Sequence, residues 1–107
     1  MALKRLGAIV SGGAIGTADI LFTAPGPTVV SSVEIVNTSG SAQTYTVAIS
    51  TGTSLPAVLG KRTGVVSIAA GDTHVLPSAT MDLTNKYLLC SASAVTVAFN
   101  AYGDDGS

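Results

Sequence analysis

Apolar and polar positions alternate along most of this chain with a period of two. Over residues 44–50, Tyr45, Val47 and Ile49 fall on one face, with Thr44, Thr46, Ala48 and Ser50 on the other. That period, with β-branched residues enriched, marks a half-buried strand. The run Val29-Val30-Ser31-Ser32-Val33-Glu34-Ile35-Val36 has the same character, and Asn37-Thr38-Ser39-Gly40-Ser41-Ala42 between the two is made of turn-formers. Two such runs joined by a polar, Gly-containing loop predict an antiparallel β-hairpin over residues 29–50. Its solvent face would carry Ser32, Glu34, Thr44 and Thr46.

The remaining segments repeat the pattern. Residues 3–10 suit a first strand or an extended arm, and Ser11-Gly12-Gly13-Ala14-Ile15-Gly16 is too rich in glycine for a helix. Residues 17–23 predict a short strand, stopped by Ala24-Pro25-Gly26-Pro27, where the prolines cannot supply ladder donors. Residues 51–60 are irregular, and residues 63–68 predict a strand that ends in the turn Ala69-Ala70-Gly71-Asp72. Further strands are expected at residues 73–76, 87–91 and 95–102, the last with Val95, Val97, Phe99 and Ala101 on one face. Residues 77–86 suit a loop with a short strand better than a helical turn. About seven or eight short strands with turns between them predict an all-β fold, an antiparallel β-sandwich of Ig-like or jelly-roll type. The expected organisation is an N-terminal arm or first strand plus glycine hinge over residues 1–16, the sandwich over 17–103, and a flexible tail over 104–107.

Composition narrows this picture. A chain of 107 residues supports one core. With two Phe, three Tyr and no Trp, that core must be aliphatic. Charged residues make up 10% of the chain against about 25% in an ordinary domain. A surface of hydroxyls and small apolar groups suits a subunit packed in an assembly, though an uncharged soluble domain reads the same way. Net charge is −1, so there is no basic field for a phosphate backbone, and nucleic-acid binding is not expected. No apolar run approaches the roughly 18 residues of a membrane-spanning helix. The apolar stretch after Lys4 and Arg5 is broken by Gly7, so a secretory signal is not expected.

Candidate chemistry is sparse. His74 is the only histidine, preceded by Asp72 and Thr73, but a histidine-based site also needs a converging nucleophile and orienting group; a surface or loop histidine is expected. Cys90 is the only cysteine, so no intrachain disulfide forms, and its apolar surroundings predict an unreactive core thiol. One Cys and one His do not complete a zinc tetrahedron, and no cofactor or metal is expected. The stretch Gly12-Gly13-Ala14-Ile15-Gly16 lacks the helix and the GK[ST] ending of a phosphate loop. Asn37-Thr38-Ser39 matches a glycosylation sequon, but side-chain bonding to the backbone of the turn is its simpler role. Tyr45, Tyr87 and Tyr102 could line a sugar platform. Tyr45 and Tyr87 are expected to pack inward, leaving Tyr102 as the aromatic for a surface or interface. Nothing here predicts an enzyme.

Several segments together resemble a family of small tailed-bacteriophage virion proteins. They are Leu21-Phe22-Thr23-Ala24-Pro25-Gly26, Val29-Val30-Ser31-Ser32-Val33-Glu34-Ile35-Val36-Asn37-Thr38-Ser39, Ile68-Ala69-Ala70-Gly71-Asp72, Ser91-Ala92-Ser93-Ala94-Val95-Thr96-Val97-Ala98-Phe99 and Ala101-Tyr102-Gly103. The likeness covers most of residues 17–103 and departs at residues 51–62 and 77–86. It implies a non-enzymatic structural protein made in the host cytoplasm and carried on the virion. Within that class, a capsid decoration (cement) protein is favoured, one that clamps neighbouring major-capsid subunits on the outer shell. A tail, baseplate or fibre component is the alternative, and a host-surface or carbohydrate-binding module a further one. On this reading Leu3, Lys4, Arg5, Leu6, Ile9 and Tyr102 contact the partner, and the chain forms a homo-oligomer, for instance a trimer.

Overall fold

The structure is a computed structural model, and it describes residues 4–10, 19–50, 66–81, 83 and 86–106. Nine strands are described: β1 (Lys4–Val10), β2 (Asp19–Thr23), β3 (Thr28–Asn37), β4 (Gln43–Ser50), β5 (Val66–Ile68), β6 (Thr73–Leu76), β7 (Ala79–Met81), β8 (Tyr87–Ala92) and β9 (Val97–Asp104). They form two antiparallel sheets. One has the order β1-β9-β3-β6, with β7 also paired to β3, and the other the order β2-β8-β4-β5. Successive strands mostly alternate between the sheets, and this interleaving is the strand order of a jelly roll.

The core lies between the sheets. Val30, Val33, Ile35, Val97, Phe99 and Ala101 from the larger sheet meet Leu21, Tyr45, Val47, Ile49, Leu88 and Cys90 from the smaller one, all at most 5% exposed. Burying each large aliphatic or aromatic side chain contributes about 1.5–3 kcal/mol. The burial pattern of β9 alternates strictly along its length, as a strand with one face on the core must.

The expected hairpin over residues 29–50 does not form. β3 and β4 lie in different sheets: β3 pairs with β9, β6 and β7, while β4 pairs with β8 and β5. The connection is an arch across the sandwich. Both strands carry an apolar face, and the arch turns those faces toward each other, which a flat two-stranded ribbon cannot do. A second correction concerns Thr46, expected to face solvent. It is 7% exposed, and its same-face neighbours Ala48, Ser50, Leu89 and Ser91 are at 0–1%. The smaller sheet is therefore buried on both faces along β4 and β8. Neither strand contains a charged residue, the signature of two-sided burial.

Element boundaries shift in smaller ways. Val95 and Thr96 belong to the turn before β9, and β9 continues through Gly103 to Asp104. Of the expected strand over residues 63–68 only β5 falls within the described residues. The glycine hinge at residues 11–16 and the irregular segment at residues 51–60 lie outside them. Residues 4–10 form a paired edge strand, with Leu6 and Ile9 packed against the core and Lys4 Nζ bound to Asp105 Oδ1 at 2.9 Å.

Two glycines sit at close backbone approaches, one between the sheets and one between neighbouring strands of the larger sheet. A Cβ on Gly7 would collide with the carbonyl oxygen of Leu21 on β2, and one on Gly103 with that of Val29 on β3. Each lies beside a register shift, between Arg5 and Gly7 on β1 and between Val30 and Ser32 on β3. Both bulges flank Tyr102, and the Ser31 hydroxyl donates to the Tyr102 carbonyl at 3.0 Å. Bulges bend a sheet and increase its twist. Gly103→Ala is expected to cost about 1–3 kcal/mol through overpacking. Gly40→Ala, with nothing near the added carbon, should stay within about 0.5 kcal/mol of the wild type. Urea denaturation of the two variants measures the contrast.

Candidate interaction surface

The two sheets differ in what their outer faces offer. That of the smaller sheet is buried along its central strands, whereas that of the larger sheet is open. The register assembles the open face row by row. Val10, Ala98, Val36 and Thr73 form one row across β1, β9, β3 and β6, and Ala8, Asn100, Glu34 and Val75 the next. Arg5, Tyr102 and Ser32 follow, then Asp104, Val29 and Thr80. Val10 and Val75, at 60% and 64% exposure, stand at opposite edges.

Among the described residues, charge in these rows is limited to Arg5, Glu34 and Asp104. Asn100 donates from Nδ2 to Glu34 Oε1 at 3.5 Å, holding that carboxylate against the sheet. The Asp104 carboxylate accepts from the Gly106 amide at 2.8 Å. A depression of about 230 Å³ lies at the β1–β9 side, lined by Ala8, Ile9, Val10, Ala98, Phe99 and Asn100. Another of about 220 Å³ is lined by Pro27, Thr28, Val29, Thr80, Met81, Asp104 and Gly106. Both are below the roughly 300–1,000 Å³ of small-molecule sites. They suit single side chains of a protein partner.

The residues singled out for partner contact fall in different environments. Arg5 and Tyr102 are register neighbours on the open face, Arg5 exposed and Tyr102 half-buried. Lys4 is tied to Asp105, Leu6 and Ile9 are packed on the core, and Leu3 lies outside the described residues. The rest of the face, Val10, Val75, Ala98 and Asn100, was missed. Its strands are far apart in sequence, and only the pairing of β1, β9, β3 and β6 brings these positions together.

His74 lies on a strand rather than in a loop, with its side chain 30% exposed. It sits on β6 opposite Ile35, half-buried, and its Nδ1 shares a hydrogen bond with the Tyr45 hydroxyl at 2.8 Å. The rings meet edge-on at 5.6 Å, and His74 Nε2 lies 3.6 Å from Asp72 Oδ2. This joins β4 to β6 across the mouth of the sandwich. Burial raises the phenol pKa of Tyr45 and withdraws it from solvent, so it lines no sugar platform. Tyr87, expected to pack inward, pairs with Ser50 on the outer face of the smaller sheet, under the Lys86 ammonium at 5.3 Å. Among the described residues no cluster of three metal-ligating side chains exists.

Asn37 closes the arch between β3 and β4. Its Nδ2 donates to the carbonyls of Ser41, Ile68 and Ala69 at 2.8, 3.1 and 3.2 Å. Its Oδ1 accepts from the Ser39 amide and hydroxyl at 3.0 and 2.8 Å. With 0% exposure and both amide atoms engaged, it is not presented as a glycosylation acceptor in the folded chain.

No family model matches the sequence, and no curated protein does. Solved structures do. A chain of the cyanophage Pam1 capsid asymmetric unit is similar at a TM-score of 0.50 and 14% identity, over 95% of this chain and 84% of that one. The CBM22-1–GH10 modules of Clostridium thermocellum endo-1,4-β-D-xylanase 10B, complexed with xylohexaose, align at a TM-score of 0.40 and 9% identity. That match covers 98% of this chain and only 26% of the xylanase. At such identities the likeness to the capsid chain shows the β-sandwich fold alone.

Two predictions follow from these side chains. Asn37→Ala strands carbonyls in the turns and is expected to cost about 3 kcal/mol, measured by urea denaturation. Burial, and then the Asp19 carboxylate, raises the pKa of the Cys90 thiol, holding it neutral in the fold. The unfolded thiol ionises above about pH 8.5, so stability present below that pH is lost as pH rises past it. The denaturation midpoint should fall more steeply above pH 9 in the wild type than in Cys90→Ala, and native Cys90 should not react with Ellman's reagent.

Proposed function

We propose that this chain is a non-enzymatic structural protein of a phage virion, a decoration protein seated on the outer capsid shell. The observation that carries the reading is the open outer face of the larger sheet. It is wide, poor in charge and dotted with exposed Val10 and Val75, whereas the opposite sheet hides its outer face along β4 and β8 and exposes Ile20 only at its β2 edge. Such a face fits a broad protein surface better than a small ligand. The jelly-roll likeness to a chain of a cyanophage capsid assembly, over nearly the whole chain, supports the same direction. Of the segments that resemble small virion proteins, residues 29–37, 97–99 and 101–103 lie on β3 and β9 of this sheet, and the others lie on the smaller sheet and in turns.

In this reading the partner is the major capsid protein, and the face bridges adjacent subunits of the shell. Arg5 and Tyr102 anchor the contact, because Arg and Tyr dominate the energetics of protein interfaces. Leu6 and Ile9 act indirectly by locking β1 onto the core. Bridging explains the scarcity of charge: a flat contact made of hydroxyls, Ala and Val desolvates cheaply.

Mass analysis of separated heads and tails tests the location. Recovery with heads is expected, and recovery with tails would make the chain a tail component instead. The double variant Arg5→Glu, Tyr102→Ala should keep its thermal midpoint yet lose about 2 kcal/mol of particle binding, roughly thirtyfold, in co-sedimentation with undecorated heads. Unchanged binding would remove this face from the contact.

A further inference from the structure

We infer that the depression at the β7 end of the larger sheet takes an arginine side chain of the protein partner, its stem against Pro27, Val29 and Met81 and its guanidinium on the Asp104 carboxylate. The inference rests on the reading above that the partner is a protein, and adds the chemistry that this partner presents.

The hollow forms where the larger sheet ends. β3 starts at Thr28, which pairs with Met81 of β7, and Val29 lies between Asp104 of β9 and Thr80 of β7. Beyond β9 the chain turns at Gly106, whose φ of 83° is a left-handed conformation that glycine adopts without a Cβ penalty. That turn aims the Gly106 amide at Asp104 Oδ1, 2.8 Å away, and holds the carboxylate at the rim. Below the rim, Pro27, Val29 and Met81 give the hollow an apolar wall, and its volume is about 220 Å³.

Charge selects the occupant. Asp104 is the only charged residue among those that line the hollow. The neighbouring Asp105 is bound to Lys4 at 2.9 Å, whereas among the described residues no cation lies within 4.0 Å of Asp104. One amide bond leaves Oδ2 and a lone pair of Oδ1 open to a donor. An unpaired carboxylate beside an apolar wall matches a side chain with an apolar stem and a cationic head. Arginine fits better than lysine, because the guanidinium is less strongly hydrated and its parallel N–H groups match a carboxylate in one plane. The hollow adjoins the row of Arg5, Tyr102 and Ser32, so a partner seated on that row reaches it.

The test uses the purified full chain and N-acetyl-arginine amide at millimolar concentration, followed by NMR. The Gly106 amide and the Met81 methyl should shift, and the citrulline counterpart, similar in shape but uncharged, should bind about tenfold more weakly. Asp104→Asn keeps an oxygen for the Gly106 amide, so its thermal midpoint should hold while arginine binding falls about tenfold. Asp105→Asn should leave that binding unchanged. Equal binding of citrulline, equal loss in the two variants, or no shift at Met81 overturns the inference. Self-association of the wild type that Asp104→Asn abolishes would make a second copy the occupant and overturn it as well. No particle enters these measurements, so a chain that binds arginine at Asp104 but not heads defeats the virion reading alone.

Discussion

The side chain of Asn37 ties two loops together at one end of the sandwich, and the arrangement of the sheets depends on it. A β3–β4 connection of five residues must carry the chain from one sheet to the other and reverse its direction. Its backbone groups cannot all find partners along the way. Asn37 supplies them: one amide bonds the β3–β4 loop at Ser41 and the β5–β6 turn at Ile68 and Ala69. The backbone of the same corner adds bonds from Asn37 N to Asp72 O and from Thr38 N to Thr96 O, both at 3.0 Å. Buried polar groups are expensive unless satisfied, so a residue that satisfies several at once specifies one geometry for the corner.

That corner also explains where sequence reasoning stopped. The alternation in β3 and β4 was legible, and so were the turn residues between them. Their period of two says that each strand has a buried face, not which strand lies beside it. The same pattern serves a hairpin and an arch, and the choice falls to contacts 31 to 58 residues away, such as Asn37 with Ile68 and Thr38 with Thr96. Likewise, Thr46 and Ser50 have hydroxyls that suit solvent equally well as a hydrogen-bonded interior. The absence of any charge from β4 and β8 was the available hint of two-sided burial. Tyr45 and His74 show the limit from the other side: each was visible as a residue, but their bond joins strands that no local pattern connects.

Geometry around Tyr102 links this scaffold to its surface. β9 runs between two neighbours that each bulge beside it, at Leu6 and at Ser31, while Gly103 lets the Val29 carbonyl come close. The long strand β3 also changes partner on its far side there, from β6 to β7, across Leu76-Pro77-Ser78-Ala79. Irregularity is thus concentrated at one transverse line of the larger sheet. On one side of it the rows holding Ala98 and Asn100 are regular. On the other the sheet bends, and Tyr102 and Arg5 stand at the bend.

A face built this way favours association over chemistry for a reason that lies in its composition. Catalytic sites need titratable groups held away from water and converging on one point. On the open face Arg5, Glu34 and Asp104 occupy separate rows, and Asn100 and Gly106 already engage the two carboxylates. What remains is small, apolar or hydroxylated, and regular. Its regularity comes from β-sheet pairing. The register that sets Ala8 beside Asn100 and Glu34 therefore decides which side chains a partner surface would meet together.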